Sequence, residues 1–346
     1  MSAAASILLG LFIIAIGSFG QSSSYVPINK VKQWSWESFW LVQGIFAWLV
    51  FPFIGALIGR PQGVALNQLY AQGDVWMPVL YGALWGIGGL TFGLSMRYLG
   101  VALGQSIALG TCSAFGTLIP ALVKGTDLFH GQGLVLLLGV CITIAGIAVI
   151  GYAGALRSRN MPDEERKKAI KDFALTKGLL VALFAGVMSA CFSLGLDAGA
   201  PIKQAALNAG VSPLFAGLPV ILLVTLGGFV TNACYCIEQN IIHKSGREYF
   251  HVPVNVFFNN LLFCALAGVL WYSQFFGLEM GKSFLASSSV LIAFSWSILM
   301  SLNVVFSNVW GIILKEWKDS GRKTAVWLLI GLAILIFSIF FPSIVG

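Results

Sequence analysis

The sequence predicts an all-α membrane protein of ten transmembrane helices, arranged as two inverted repeats of five helices each. Three observations support this prediction. The chain has 346 residues, of which 58% are hydrophobic and only 10% are charged, with a mean hydropathy of +0.88. The apolar residues fall into ten runs of about 20, the length that crosses a bilayer. A short motif recurs in the third and eighth runs, as FGLSM at 92–96 and FGLEM at 276–280.

Composition decides which solvent surrounds the chain. Soluble domains carry about 25% charged residues, so a chain with 10% is predicted to lie in a lipid bilayer. Each span must be helical, because a strand edge in lipid leaves backbone groups unpaired. The net charge of +7 does not indicate a nucleic-acid partner, since the basic residues lie in short loops between apolar runs.

The predicted helices divide evenly around one charged segment. Residues 156–175 are dense in both signs of charge and form a predicted cytoplasmic linker between a first repeat at 1–155 and a second at 176–346. The first run lacks a positively charged n-region and is interpreted as a membrane helix, not as a signal peptide. The ten predicted helices cover roughly residues 4–26, 37–58, 75–97, 101–123, 132–153, 176–200, 212–237, 255–280, 284–312 and 324–344.

The distribution of basic residues predicts the orientation of the chain. Sixteen of the 20 lysines and arginines lie after the first, third, fifth, seventh and ninth predicted helices. The positive-inside rule places such loops in the cytoplasm. Both termini are therefore predicted to lie outside the cytoplasm.

The recurring pentapeptide predicts a duplicated fold. Both copies lie in the third helix of a half, and each follows a G-x-x-W motif, Gly82 to Trp85 and Gly268 to Trp271. Because five is an odd number, a second five-helix copy enters the membrane in the opposite direction and forms an inverted repeat. Two such halves can exchange conformations around a central site, which favours a carrier over an enzyme. Chance similarity between two apolar sequences is the alternative.

Two carboxylates fall inside predicted helices, Asp197 and Glu279. A charged group is costly in a membrane, so it usually faces a cavity or a partner. A carboxyl group held away from water binds a proton more readily. Glu279, which stands where the other repeat has Ser95, and Asp197 are therefore candidate proton-coupling residues. Alternatively, each lies near its helix end and reaches headgroups or water.

Amide and aromatic side chains recur along the eighth helix at helical spacing. Trp271 and Gln274 are three residues apart, and Tyr272 lies on the face of Glu279. An amide can donate to and accept from hydroxyls, and aromatic rings cover the apolar face of a sugar. Each such residue is alternatively a packing or interfacial residue. The candidate substrate-binding residues are Gln274, Trp271, Trp85, Tyr25, Gln21, Gln105 and Tyr272.

Signatures of enzymes and of metal or cofactor sites are absent from the sequence. It contains no HExxH, no G-x-S-x-G and no P-loop. His130, His243 and His251 lie in separate loops, and the six cysteines lie in or beside apolar runs, so no metal site or cofactor is predicted. The polar loops hold too few residues for a signalling domain, which disfavours a membrane sensor or scaffold, and no obligate protein partner is inferred.

Four longer motifs are distinctive: YVPINKVKQWSWESFW at 25–40, GALWGIGGLTFGLSMRYLG at 82–100, WYSQFF at 271–276 and LKEWKDSGR at 314–322. Together they resemble the bacterial L-rhamnose–proton symporter family, within the drug/metabolite transporter superfamily. The resemblance runs from about residue 10 to the C-terminus. It implies ten helices in two inverted halves in the bacterial inner membrane. Combined with the distribution of basic residues, this places both termini in the periplasm. It also implies import of L-rhamnose, or of a close 6-deoxy sugar, with a proton as the coupling ion.

Asp197 and Glu279 depart from the pattern of that family, which carries uncharged residues at these positions. They are then either coupling groups particular to this protein or residues that alter its substrate. A metabolite exporter or exchanger of the same superfamily is the alternative function.

Overall fold

A computed structural model describes residues 2–160, 174–315, 317–318 and 320–345. All regular structure in these residues is helical, and ten of the helices are long and apolar enough to cross a membrane. The predicted fold class, a multi-pass all-α membrane protein, is confirmed. The spans, labelled α1 to α10, are Ala3–Ile28, Trp36–Ile58, Trp76–Leu99, Leu103–Val123, Gly131–Arg159, Leu175–Asn208, Leu218–His243, Val254–Phe284, Ser289–Ile313 and Arg322–Val345.

Several spans are not single uninterrupted α-helices. The middle of α2 is a π-helix, Ile45–Val50, between the α-helical segments Trp36–Gly44 and Phe51–Ile58. α6 consists of a long helix, Leu175–Ala198, followed directly by a short one, Ala200–Asn208. α1 also ends in a second short segment, Tyr25–Ile28. Two further short helices, Leu66–Tyr70 and Ser245–Tyr249, connect spans.

Several helix boundaries differ from the sequence prediction. α7 begins at Leu218 and not near residue 212, because Pro219 takes the first helical turn, where its missing N–H is tolerated. The same helix continues to His243 and stops where Lys244 adopts a left-handed conformation, with φ of 56°. The predicted linker begins inside a helix, since α5 extends to Arg159. Residues 161–173 of that linker lie outside the described residues.

The chain forms two compact units. The first comprises Met1–Gly86 and Gly195–Phe284, and the second comprises Ile87–Leu194 and Leu285–Gly346. Each unit combines segments from both predicted five-helix halves. The division of the sequence into two inverted repeats stays a prediction.

Close backbone contacts hold the first unit together. α1 packs along α8 at Gly17, where an added Cβ would lie 2.5 Å from the carbonyl oxygen of Ser273. The Ser273 hydroxyl also donates a hydrogen bond to the Gly17 carbonyl, at 3.0 Å. Small residues permit such approach in lipid, where association depends on packing and interhelical hydrogen bonds.

The second unit combines apolar packing with buried hydroxyl contacts. Ser297 on α9 lies within hydrogen-bond distance of Ser113 and Thr117 on α4, at 2.9 Å and 2.8 Å. These hydroxyls satisfy one another away from water. In the same unit, α5, α9 and α10 share an apolar cluster of Ile147, Ile150, Ala153, Val304, Val305, Leu328, Leu332 and Leu335.

Glycines on α3 differ in how closely other atoms approach them. A Cβ at Gly82 would lie 1.9 Å from the carbonyl oxygen of Val224, and a Cβ at Gly86 would lie 2.9 Å from the Cβ of Thr231. A Cβ at Gly89 or Gly93 meets no heavy atom of the described residues within 4 Å. Gly82 and Gly86 therefore allow α3 and α7 to touch inside the first unit.

Gly82→Ala is expected to destabilise the protein by about 1–3 kcal/mol, because the new methyl group collides with the backbone of α7. The matched control is Gly89→Ala on the same helix. There, open space and the higher helix propensity of alanine predict no loss of stability, or a gain of up to about 1 kcal/mol. Thermal unfolding in detergent, followed by circular dichroism, measures both. Equal effects of the two substitutions would contradict the role assigned to Gly82.

Candidate functional site

The first unit contains a cluster of large aromatic rings contributed by three helices. Trp48 from α2, Trp85 from α3 and Trp271 from α8 lie in mutual contact, with centroids 6.0 Å apart for Trp48–Trp85 and 5.7 Å apart for the other two pairs. Phe275 extends the group along α8, 5.3 Å from Trp271. We call these four residues the tryptophan cluster.

Glycines make room for the tryptophan cluster. A Cβ at Gly44 would lie 2.8 Å from the ring of Trp48, and a Cβ at Gly228 would lie 2.2 Å from the ring of Trp85. A Cβ at Gly268 would lie 2.6 Å from the Cβ of Phe46, so α8 approaches the π-helix closely one turn before Trp271. The indole rings therefore rest on backbone that carries no side chain.

Buried amides accompany these rings. Gln274 is 4% exposed, and its amide donates to the carbonyl oxygen of Trp271 at 3.2 Å. Gln43 and Trp48 are 1% and 3% exposed, and neither Gln43 Oε1 nor Trp48 Nε1 has a hydrogen-bond partner among the described residues. The sequence analysis missed both residues, because no motif in the apolar run of α2 sets them apart.

Glu279 forms an ion pair that the sequence analysis did not identify. Its carboxylate is buried and accepts a hydrogen bond from the Lys203 ammonium, which the short helix Ala200–Asn208 of α6 supplies. Gly217 lies against the carboxylate, where a Cβ would come within 2.3 Å of Cδ. The sequence analysis did not single out Lys203, although its partner was already a candidate.

The other candidate residues are dispersed. Tyr272 faces Gly55 of α2, where an added Cβ would lie 2.1 Å from its hydroxyl oxygen, and its ring contacts Phe276. Tyr25 is 55% exposed at the end of α1. Gln21, also on α1, accepts a hydrogen bond from Ser22 at 3.3 Å. Asp197 is partly buried in the last turn of Leu175–Ala198. Gln105 lies on α4, in the second unit.

A second polar network joins the start of α2 to the end of α7. The buried carboxylate of Glu37 lies 3.0 Å from Nδ1 of His243 and accepts a hydrogen bond from the Ser245 hydroxyl at 2.7 Å. Ser38 donates to Asn240 Oδ1 at 3.1 Å, and the Ser245 hydroxyl oxygen lies at the same distance from that atom. Among the described residues, no group of three or more His, Cys, Asp or Glu side chains could hold a metal ion. The hydrogen bonds of this network connect the start of α2 to the end of α7.

Comparison with known proteins decides the family. The sequence matches the family described as L-rhamnose-proton symport protein (RhaT) over residues 1–346. The chain belongs to this family. The match confirms the family that the four sequence motifs predicted. This family is one of transporters and not of enzymes.

Individual members of the L-rhamnose–proton symport family align along nearly the whole chain. A protein of Mannheimia succiniciproducens named L-rhamnose-proton symporter is 34% identical over 347 residues, which cover 99% of this chain and 98% of that protein. A protein of the same name from Klebsiella pneumoniae is 35% identical, and one from Yersinia pestis is 33% identical, each with the same shares of both chains covered.

Lys203→Met is expected to destabilise the protein by about 1–3 kcal/mol, because it leaves the Glu279 carboxylate buried without its cation. The expected loss lies below that of a fully buried pair, since the Lys203 side chain is 34% exposed. Lys203→Arg keeps the charge and serves as the matched control. Removal of both charges, in Lys203→Met with Glu279→Met, is expected to restore most of the stability. Thermal unfolding in detergent provides the measurement, and a double variant no more stable than Lys203→Met alone would argue against the pair.

Proposed function

We propose that this protein imports L-rhamnose, or a close 6-deoxy sugar, together with a proton. The observation that supports it most directly is the tryptophan cluster with the buried amide of Gln274, in a chain of the L-rhamnose–proton symport family. The relatives from three organisms are each named L-rhamnose-proton symporter and align from end to end with this chain. A metabolite exporter or exchanger of the same superfamily is the alternative.

The chemistry of the tryptophan cluster suits a sugar of this class. A 6-deoxy sugar has an apolar face of C–H groups and a methyl group, which indole rings can cover. It also carries ring hydroxyls that need hydrogen-bond partners once they leave water, and an amide such as that of Gln274 can both donate and accept. In this proposal Trp85, Trp271 and Gln274 bind the substrate. The other candidate substrate-binding residues do not belong to the tryptophan cluster, and they remain candidates only: Tyr25, Gln21, Gln105 and Tyr272.

The predicted inverted repeat indicates where Trp85 and Trp271 lie relative to its pseudo-two-fold axis. Trp85 and Trp271 occupy matching positions in the repeated G-x-x-W motif, and their rings are in contact. Residues related by a two-fold axis can touch only close to that axis. We therefore propose that the substrate binds near the pseudo-two-fold axis and that transport proceeds by alternating access.

Glu279 and Asp197 remain the proposed proton-coupling residues. A proton that binds Glu279 removes the negative charge that attracts Lys203, so protonation and the ion pair exclude each other. Proton binding would thereby release α8 from the short helix of α6. The proton is the only coupling species in this proposal, and no cofactor takes part. We place the protein in the bacterial inner membrane with both termini in the periplasm.

A pH recording on de-energised vesicles tests the function. The protein is reconstituted into vesicles, and L-rhamnose, L-fucose, L-mannose and D-glucose are added in turn to a weakly buffered medium. Symport of sugar and proton makes the medium alkaline when L-rhamnose is added. Vesicles without protein control for leakage. Absence of any pH change, with folded protein in the membrane, would favour the exporter or exchanger.

Trp271→Ala and Trp85→Ala are expected to reduce L-rhamnose uptake about five- to tenfold at low sugar concentration, because each removes one ring from the binding surface. Trp76→Ala is the matched control. Trp76 begins α3 and is 77% exposed, so its loss removes no ring from the cluster. Radiolabelled uptake into the same vesicles measures all three. If Trp76→Ala reduced uptake as strongly as the other two, the tryptophan cluster would not be the binding site.

Glu279→Gln and Asp197→Asn test which carboxylate couples the proton. A variant without its coupling group can still exchange labelled for unlabelled sugar, since exchange moves no net proton. It cannot accumulate sugar against a gradient. We expect at least one of the two variants to retain exchange and to lose uphill accumulation. Unchanged accumulation in both would exclude both residues from the coupling mechanism.

A further inference from the structure

The π-helix of α2 lies in the middle of a membrane span, beside the tryptophan cluster. It covers Ile45–Val50, and the N–H of Phe51 bonds to the carbonyl of Phe46, five residues earlier. Such segments are rare and occur frequently at functional sites, because the wider turn changes where side chains point. Trp48 lies inside this segment, and Gln43 lies in the α-helical turn before it. The start of the π-helix therefore lies between two buried polar side chains of α2, those of Gln43 and Trp48.

Both side chains carry a polar atom without a hydrogen bond in the described part of the chain. These atoms are the acceptor Gln43 Oε1 and the donor Trp48 Nε1, and both residues are more than nine-tenths buried. Buried polar atoms in proteins almost always have a partner, and an unpaired one lowers stability. Two buried unpaired atoms of opposite kind, on side chains five residues apart in one helix, indicate that a ligand satisfies them.

The neighbouring Trp40 differs from Trp48 in the hydrogen bonding of its indole N–H. Trp40 stands two turns before Trp48 on α2, and the rings are in contact, with centroids 5.8 Å apart. Yet the Trp40 indole N–H donates to Asn232 Oδ1 of α7, at 3.3 Å. The described residues thus provide an acceptor for the indole N–H of Trp40 and none for that of Trp48. Trp48, and not Trp40, contacts both Trp85 and Trp271.

We infer that Gln43 and Trp48 recognise hydroxyl groups of the transported sugar, an inference that rests on the proposed function. The indole N–H of Trp48 donates a hydrogen bond to the oxygen of one ring hydroxyl, and Gln43 Oε1 accepts a hydrogen bond from a ring hydroxyl. Trp85 and Trp271 cover the C–H face of the same sugar. A site that hydrogen-bonds a substrate hydroxyl rejects an analogue without it, because its own buried atom is then left unpaired. The two residues would therefore contribute to the choice among sugars.

A cycle of protein and sugar variants tests the inference. Trp48→Phe removes the N–H and keeps an aromatic ring, and Gln43→Met removes the acceptor and keeps the length of the side chain. Binding of L-rhamnose and of its 2-deoxy, 3-deoxy and 4-deoxy derivatives is measured by titration calorimetry on purified full-length protein in lipid nanodiscs. For Trp48→Phe we expect the Kd for L-rhamnose to rise about tenfold, corresponding to one hydrogen bond.

The pattern across the sugars separates recognition from damage to the fold. One deoxy derivative should bind the unaltered protein about tenfold more weakly than L-rhamnose, and Trp48→Phe should bind that derivative as well as it binds L-rhamnose. Gln43→Met should behave in the same way towards its own partner hydroxyl. Trp40→Phe is the matched control, since its N–H is bonded within the protein, and it should keep the order of affinities of the unaltered protein.

Two results would overturn the inference while L-rhamnose still binds. In one, Trp48→Phe and Gln43→Met bind L-rhamnose as tightly as the unaltered protein. In the other, they weaken all four sugars by the same factor, as a distorted site would. A different result distinguishes failure of the proposed function: the unaltered, folded protein binds none of the four sugars, and the inference then fails with it.

Discussion

Every span of this protein is constrained by the lack of water in the hydrocarbon layer. Backbone N–H and C=O groups must find partners within the span itself, so each of the ten apolar runs becomes a helix. The constraint also makes exceptions informative. The π-helix of α2 keeps its backbone hydrogen bonds but closes a wider turn, and α6 is broken before Ala200. Both exceptions lie in the first unit, beside the tryptophan cluster and the Lys203–Glu279 pair.

Missing side chains are as important to the candidate site as the rings themselves. Lipid is as apolar as leucine, so helices in it associate through packing and polar contacts and not through the hydrophobic effect. Gly44, Gly228 and Gly268 leave the space into which two indole rings and the π-helix fit. A methyl group at any of these positions would displace a ring or a helix. The glycines therefore determine the geometry of the tryptophan cluster without belonging to it.

The sequence predicted the number and the type of the spans because both follow from local composition. It also selected Trp85, Trp271 and Gln274, because a repeated motif and helical spacing pointed to them, and the structure brings the two tryptophans into contact. It did not reveal Trp48, since the packing of α2 against α3 and α8 depends on the tertiary fold. Lys203 was missed for the same reason, because its pairing with Glu279 joins residues 76 positions apart.

A single helix face links the ion pair to the tryptophan cluster. Trp271, Phe275 and Glu279 follow one another at intervals of four along α8, so they share one face, and about 12 Å separates the first from the last. In the proposed mechanism, a sugar on Trp271 and a proton on Glu279 therefore act on the same helix. Two ligands are coupled when each changes the equilibrium of an element that the other contacts. In the proposed mechanism α8 is that element, since the sugar contacts Trp271 and the proton replaces the interaction of Glu279 with Lys203.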